Sequence, residues 1–284
     1  MNRTTLFFVS LLFFISCSAA TKKDMNASEI VRLLQKGGDV QIADKIIWDD
    51  LDFSNAKKLK AVSPGLLQAD VEGNVFFVNC VFMGKVTSLG KKGTLPVCTR
   101  FKSNLVFFEC DFRGEVDFSS AIVYGAVNFC KSTFREKANF DQIAVWSKDS
   151  YFSEMKAEKE FSMIYSVVKG NLYFLNAEFA GRTSFQEIGV DGKFIFNSSV
   201  FKEKVSFDLM SVREAAAFNY AAFEKGADFS SSRFLRTVGF VNANFVETGR
   251  FNKTYFLDAV NFEGVDVANS LTMTNVVFGN NPNK

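Results

Sequence analysis

Residues 229–256 read FSSSRFLRTVGFVNANFVETGRFNKTYF, with Phe229, Phe234, Phe240, Phe245, Phe251 and Phe256 set along them. The steps between them are five, six, five, six and five. Forward, the same beat meets Phe262, Val267, Met273 and Phe278. Backward it passes Phe223, Phe218, Val212, Phe207, Phe201, Phe196, Val190, Phe185, Phe179, Phe174, Val168, Met163, Ala157 and Phe152. A run in the same phase holds Phe107, Phe112, Phe118, Val123, Phe129, Phe134, Phe140 and Val145. Between Val145 and Phe152 the step is seven, so the reading places one extra residue, a bulge, near 146–151.

A second position follows the first. Two residues before the beat stand small or β-branched side chains such as Val116, Ala138, Ala177, Thr183, Val205, Ala227 and Val238. Residues two apart in a strand face the same way. Each short unit therefore sends one small and one large side chain inward and turns the residue between them out (Asp117, Asn139, Ser206, Asp228). Where the beat residue shrinks its partner grows, as Met155 before Ala157 and Phe161 before Met163. A common interior volume requires that compensation.

Steps of five and six match neither the three-and-four of a helix nor the two of a hairpin sheet. A hexapeptide β-helix needs a uniform six, and leucine-rich repeats need an uneven leucine pattern absent here. What remains is an all-β solenoid of four short sides and 22 residues per coil, repeated roughly ten times.

At this point the chain resembles the pentapeptide-repeat family, in its phenylalanine-centred form A-x-F-x-x. Matching runs are ADFSSSRF (227–234), ANFVETGRF (243–251) and STFREKANF (132–140). The resemblance implies a right-handed quadrilateral parallel β-helix over most of 42–280. The family repeats on a plain five, so the extra residue at alternate corners is a departure. The tube is expected to open with Ile42, Ile47 and Phe53 and to continue through Val71, Phe77, Phe82 and Ser88. Residues 89–100 (LGKKGTLPVCTR) read as a surface loop inserted before Phe101. The phenylalanines from Phe107 to Phe278 that fall on the beat, Phe234, Phe240 and Phe245 among them, are the expected core stack. Each ring buried there contributes roughly 1.5–3 kcal/mol.

Residues 21–41 read as a linker and a capping helix. Within them Asn26–Gly38 (NASEIVRLLQKGG) is amphipathic, with Asn26 or Ser28 as cap and a Gly-Gly stop. Such a helix would cover the open edge of the first coil. After Phe278 only GNNPNK follows, so the last coil is expected to pair with a partner, most simply a second copy in a homodimer; 281–284 is a tail.

Residues 1–20 (MNRTTLFFVSLLFFISCSAA) have the layout of an export signal: Arg3, then an apolar run from Leu6 to Ile15, then small residues. Phe14-Ile15-Ser16-Cys17 resembles a bacterial lipoprotein box, with Phe14 where leucine is usual. That resemblance implies cleavage before Cys17, lipidation of Cys17 and, through Ser18, outer-membrane sorting; ordinary cleavage after Ala20 is the other reading. The expected address is the cell envelope, with membrane contact through the lipid alone, or a soluble periplasmic or secreted form.

The chain has 33 basic and 31 acidic residues and no histidine. Near-neutrality argues against a nucleic-acid partner, and missing histidine removes the commonest general base and metal ligand. Cys80 and Cys110 fall inside consecutive coils, as a disulfide or as a pair of small core residues; Cys98 lies in the 89–100 insertion and Cys130 faces outward. No catalytic constellation, metal site or cofactor motif is recognisable. Two adjacent sides turn polar residues out: Asp111, Arg113, Asp117, Ser119, Thr133, Arg135, Asn139 and Asp141. The other two carry Val106, Phe108, Ile122, Tyr124, Trp146, Tyr173, Leu175 and Ile195, a candidate partner surface. The expected function is a non-enzymatic envelope scaffold for a protein or envelope partner, set against a secreted β-helix that binds or cleaves polysaccharide.

Overall fold

The computed structural model describes residues 23–56, 59–266 and 270–279. The expected export signal with Cys17, the beat residue Val267 and the tail 281–284 lie outside the described residues. The described residues wind through four sheets, three of ten strands and one of twelve. We number the sides in the order the chain visits them. Side 1 starts with Val40–Ala43, side 2 has Lys45–Ile47, side 3 Leu51–Asp52 and side 4 Leu66–Val71. Successive coils pair in parallel, Phe112 with Phe134 and Val116 with Ala138, each 22 residues on. The fold is the expected parallel β-solenoid.

The alternation of five and six has a backbone cause. Among the described residues seventeen non-glycine residues hold a left-handed φ, and all fall at the two opposite corners between sides 1 and 2 and between sides 3 and 4. The five-residue step from Phe129 to Phe134 turns through Lys131, and that from Phe140 to Val145 through Gln142, each at φ 57°. One left-handed residue bends the chain sharply, at roughly 1–2 kcal/mol. Among the described residues the corners from side 2 to side 3 and from side 4 to side 1 turn without such a residue, save at Gly226, and need one more residue to come round. Among the described residues none of the seventeen is Val, Ile or Thr, the types that tolerate this conformation least.

Inside, phenylalanines stack along the axis and meet edge-on around each coil. Phe179 and Phe201 are parallel at 4.7 Å, as are Phe229 and Phe251 at 4.8 Å, while Phe207 and Phe218 meet at 76°. Offset stacks and edge-to-face pairs are the two arrangements ring quadrupoles favour. All six phenylalanines of 229–256 are buried. Phe240 stacks between Phe218 below, at 5.0 Å, and Phe262 above, at 5.1 Å, and Phe245 lies 4.6 Å from Phe223.

The stack is not unbroken phenylalanine. On side 4 Phe234 meets a ring only above, Phe256 at 5.4 Å, because Val212 holds the position below it. Where side 2 carries only Ala157, Phe161 reaches across to Phe134 and Phe179. Where side 3 carries Ser88, Phe53 fills the space and lies 6.0 Å from Phe118. Ser88 is fully buried, and among the described residues its hydroxyl oxygen has no hydrogen-bond partner. The thiols of Cys80 and Cys110, both buried, lie 3.6 Å from the carbonyls of Ile42 and Phe77. Two expected core residues depart from the pattern altogether. Phe262 is only partly buried and Phe278 is 46% exposed, and among the described residues no coil stacks on them from above.

The first coil is covered as expected. The helix Ala27–Lys36 buries Ala27, Ile30 and Leu34, with Asn26 at its N-cap and Gly37, at φ 79°, at its C-cap. Ser28 lies inside the helix, not at its cap. Beneath side 2 an unforeseen strand, Lys23–Met25, pairs in parallel with Lys45–Ile47.

The insertion at 89–100 is a hairpin rather than a loop. Leu89–Lys92 runs antiparallel to Leu95–Phe101 across a two-residue turn that uses Gly93 at φ 62°. Its second strand lies on Leu66–Val71, itself the return strand of a hairpin whose Pro64-Gly65 turn has Gly65 at φ 83°. Cys98 is therefore buried in a sheet.

Candidate partner surface

Sides 4 and 1 meet at a six-residue corner, and the outward side chains there stand in columns. On side 1 the register sets Phe76, Val106, Asn128, Tyr151, Tyr173, Ile195 and Ala217 over one another. Tyr151 and Tyr173 stack at 5.3 Å and 12°. Burial, with Asp149 alongside, pushes the Tyr151 hydroxyl up to about 12 and raises that of Tyr173. At the corner Tyr124 and Trp146, about half exposed, stack at 6.4 Å. The Lys169 ammonium lies 5.6 Å from the Trp146 ring and 3.0 Å from Asp191, which also receives Arg213 at 3.2 Å. Ile122, Ala144 and Val167 form the outward column of side 4, with Val167 exposed.

Five of the expected surface residues, Ile122, Tyr124, Trp146, Tyr173 and Ile195, therefore gather on sides 4 and 1 around this corner. Leu175, exposed, and Phe108, half-buried with Lys131 5.7 Å from its ring, mark the far edge of side 1. Val106 does not belong to the surface. It is 6% exposed, a short branched side chain between Phe76 one coil below and Asn128 one coil above. Tyr151 and Val167 were missed. Tyr151 follows the extra residue in the coil, which lies in the corner at 147–149. That corner is tied by the Ser147 hydroxyl donating to the Asp149 carbonyl at 3.1 Å. Gly170 passes directly above it: a Cβ there would come within 2.0 Å of the Lys148 carbonyl oxygen.

Lower on side 4 the hairpins are fastened by a buried carboxylate. Arg100 donates twice to Asp70 at 2.9 Å, and Lys60 and Lys102 stand at 3.0 and 3.4 Å. The Asp70 side chain is 2% exposed. Burial alone would push its carboxyl up, but the Arg100 and Lys60 hydrogen bonds and the charges of Arg100 and Lys102 hold it at about 2. On sides 2 and 3 many of the outward groups satisfy one another. Arg135 bridges Asp111 at 2.6 Å and Glu158 at 3.1 Å, and the Asp117, Asn139 and Asp228 side chains accept from nearby backbone N–H groups.

This arrangement supports contact through apolar and aromatic surface. Burial pushes the Cys130 thiol up to about 11, away from the thiolate form. Among the described residues there is no group of three or more side chains able to hold a metal ion, and no helix long and apolar enough to cross a membrane. The chain matches no protein-family model, no curated protein and no solved structure.

Proposed function

We propose that the chain is a non-enzymatic pentapeptide-repeat protein of the bacterial cell envelope, anchored by a lipid on Cys17, that holds a rigid face toward a protein or envelope partner. The observation that supports this most is the exposed aromatic and aliphatic surface around the corner of sides 4 and 1. It stands against the charge-paired surface of sides 2 and 3. Exposed apolar clusters of this kind mark contact sites on otherwise polar proteins. Ten coils at ~4.8 Å make a rod of roughly 50 Å, long enough to present several columns of that face at once.

Serine at Phe108, Tyr173 and Ile195 together is expected to leave the thermal transition within a few degrees and abolish partner binding. Unchanged binding would remove this surface from the function. Intact mass and cell fraction, beside Cys17→Ala, test the anchor. Acyl mass and membrane residence lost in the variant support it, and a soluble product starting near Thr21 in both removes it. The same proposal has the last described coil, where Val277 and Phe278 are 41% and 46% exposed, pair with a second copy. A monomeric molar mass by light scattering across a wide dilution series would end that part.

A further inference from the structure

The corner between sides 2 and 3 carries a column of side chains whose order backbone hydrogen bonds fix from coil to coil: Glu115, Lys137, Glu160, Arg182, Lys204, then Gly226 and Thr248. Below Glu115 stands Lys85, 3.7 Å from it, and Lys137 lies 3.8 Å from Glu160. Up to this height the charges alternate in sign, as stacked neighbours ~4.8 Å apart should. At Arg182 and Lys204 the alternation breaks. Two like charges follow one another, and among the described residues neither forms an ion pair. The next position is Gly226, at φ 91°, where a Cβ would meet the Thr248 carbonyl oxygen at 2.9 Å. The column thus loses its side chain immediately above the two cations.

A hollow of about 420 Å³ opens there, and Arg182, Thr183, Ser184, Lys204, Ser206 and Gly226 are among the residues lining it. The acids that also line it are already engaged. Asp208 is held by Ser206 and by Gln186 at 3.0 Å, Asp228 accepts from the Ser230 N–H, and Glu247 lies 3.9 Å from Lys225. Arg250, the remaining cation, is 4.0 Å from Asp228. Glu160 and Glu203, at neighbouring corner positions, do not line the hollow. Arg182 and Lys204 are thus cationic donors without an ion pair among the described residues, while the Thr183 and Ser206 hydroxyls already donate to the Gly181 carbonyl and to Asp208. A phosphate or sulfate group presents tetrahedral acceptor oxygens of opposite charge.

We propose that this hollow binds a tetrahedral oxyanion, phosphate or sulfate, free or as an ester on a sugar. The site lies on the half of the tube away from the aromatic surface and stands or falls separately from it. In the full chain, inorganic phosphate titrated at constant ionic strength should shift the amide resonances of Thr183, Ser206 and Gly226 saturably. Lys204→Glu, which continues the alternation, should weaken that binding by roughly tenfold or more. It should also raise Tm in the absence of phosphate. Lys193→Glu makes the same change of net charge at the diagonally opposite corner and should stay within about twofold of wild type. No saturable shift with phosphate or sulfate, or equal weakening by the two variants, would overturn the proposal. Glucose 6-phosphate binding more tightly than inorganic phosphate would place the group on a sugar; the reverse order would make it the free ion.

Discussion

Sides 2 and 3 and sides 4 and 1 enclose one interior and share one coil length, yet they treat their outward residues differently. On sides 2 and 3 the exposed charges close on each other from coil to coil, as Arg135 does with Asp111 and Glu158. On sides 4 and 1 the rings of Tyr124 and Trp146, and of Tyr151 and Tyr173, stack instead. Side 4 stacks Val123, Val145, Val168, Val190 and Val212 inside where side 2 carries mostly phenylalanine. Side 1 has a phenylalanine column like that of side 2 yet turns out different residues, so the interior alone does not set the surface.

The two halves also use the same carboxylate–arginine chemistry at different depths. Asp70 on side 4 is 2% exposed and Asp111 on side 2 is 21% exposed. Asp70→Asn, leaving Arg100 without its partner, should cost about 3 kcal/mol in urea unfolding. Asp111→Asn should stay within about 1 kcal/mol, as exposed pairs do. Equal costs would break the comparison.

Acid titration sharpens it. The folded carboxyl of Asp70 lies below its unfolded value, so its contribution is complete above pH ~4 and fades as pH falls toward about 2. Wild type should lose about 2 kcal/mol across that window that Asp70→Asn does not lose. Parallel curves for the two proteins would contradict the assignment.

Smaller effects separate the two kinds of corner. Gly170→Ala drives a Cβ against the Lys148 carbonyl of the lengthened 4-to-1 corner and should cost roughly 2 kcal/mol by thermal denaturation. Leu209→Gly, at φ 58° in the 3-to-4 corner, should instead stabilise by about 1 kcal/mol by relieving a left-handed leucine. Losses of equal size at the two sites would mean that the left-handed corner is not strained. Inside the tube, Ser88→Ala removes a buried hydroxyl oxygen without a partner and should gain about 1 kcal/mol.

The beat of Phe229, Phe234, Phe240 and the rings that follow was enough to read the coil, because a solenoid repeats its inward positions at a fixed interval and few other folds do. The reason for five against six was not readable. The left-handed positions hold Leu209, Tyr165 and Tyr220 as well as Asn176 and Asn242, so no residue type marks them. The hairpins had signals that went unused, Pro64-Gly65 and Gly93, since an interrupted repeat reads as a loop until its strands find partners. Asp70 sits at an outward register position and looked no different from Asp117; the three cations gathered round it through the hairpins make it a buried anchor. The apolar surface was legible in outline through Tyr124, Trp146 and Tyr173. Tyr151 was hidden by the extra residue before it, and Val106 was misplaced because its cover comes from neighbouring coils.

Photo-crosslinking in the native cell tests the account most directly, with p-benzoylphenylalanine placed at Trp146 or Tyr173 on one half and at Arg113 or Asn139 on the other. The account predicts one adduct of the same mass from both positions on sides 4 and 1, and none from sides 2 and 3. The same adduct from all four positions, or no adduct from Trp146 and Tyr173, would contradict it.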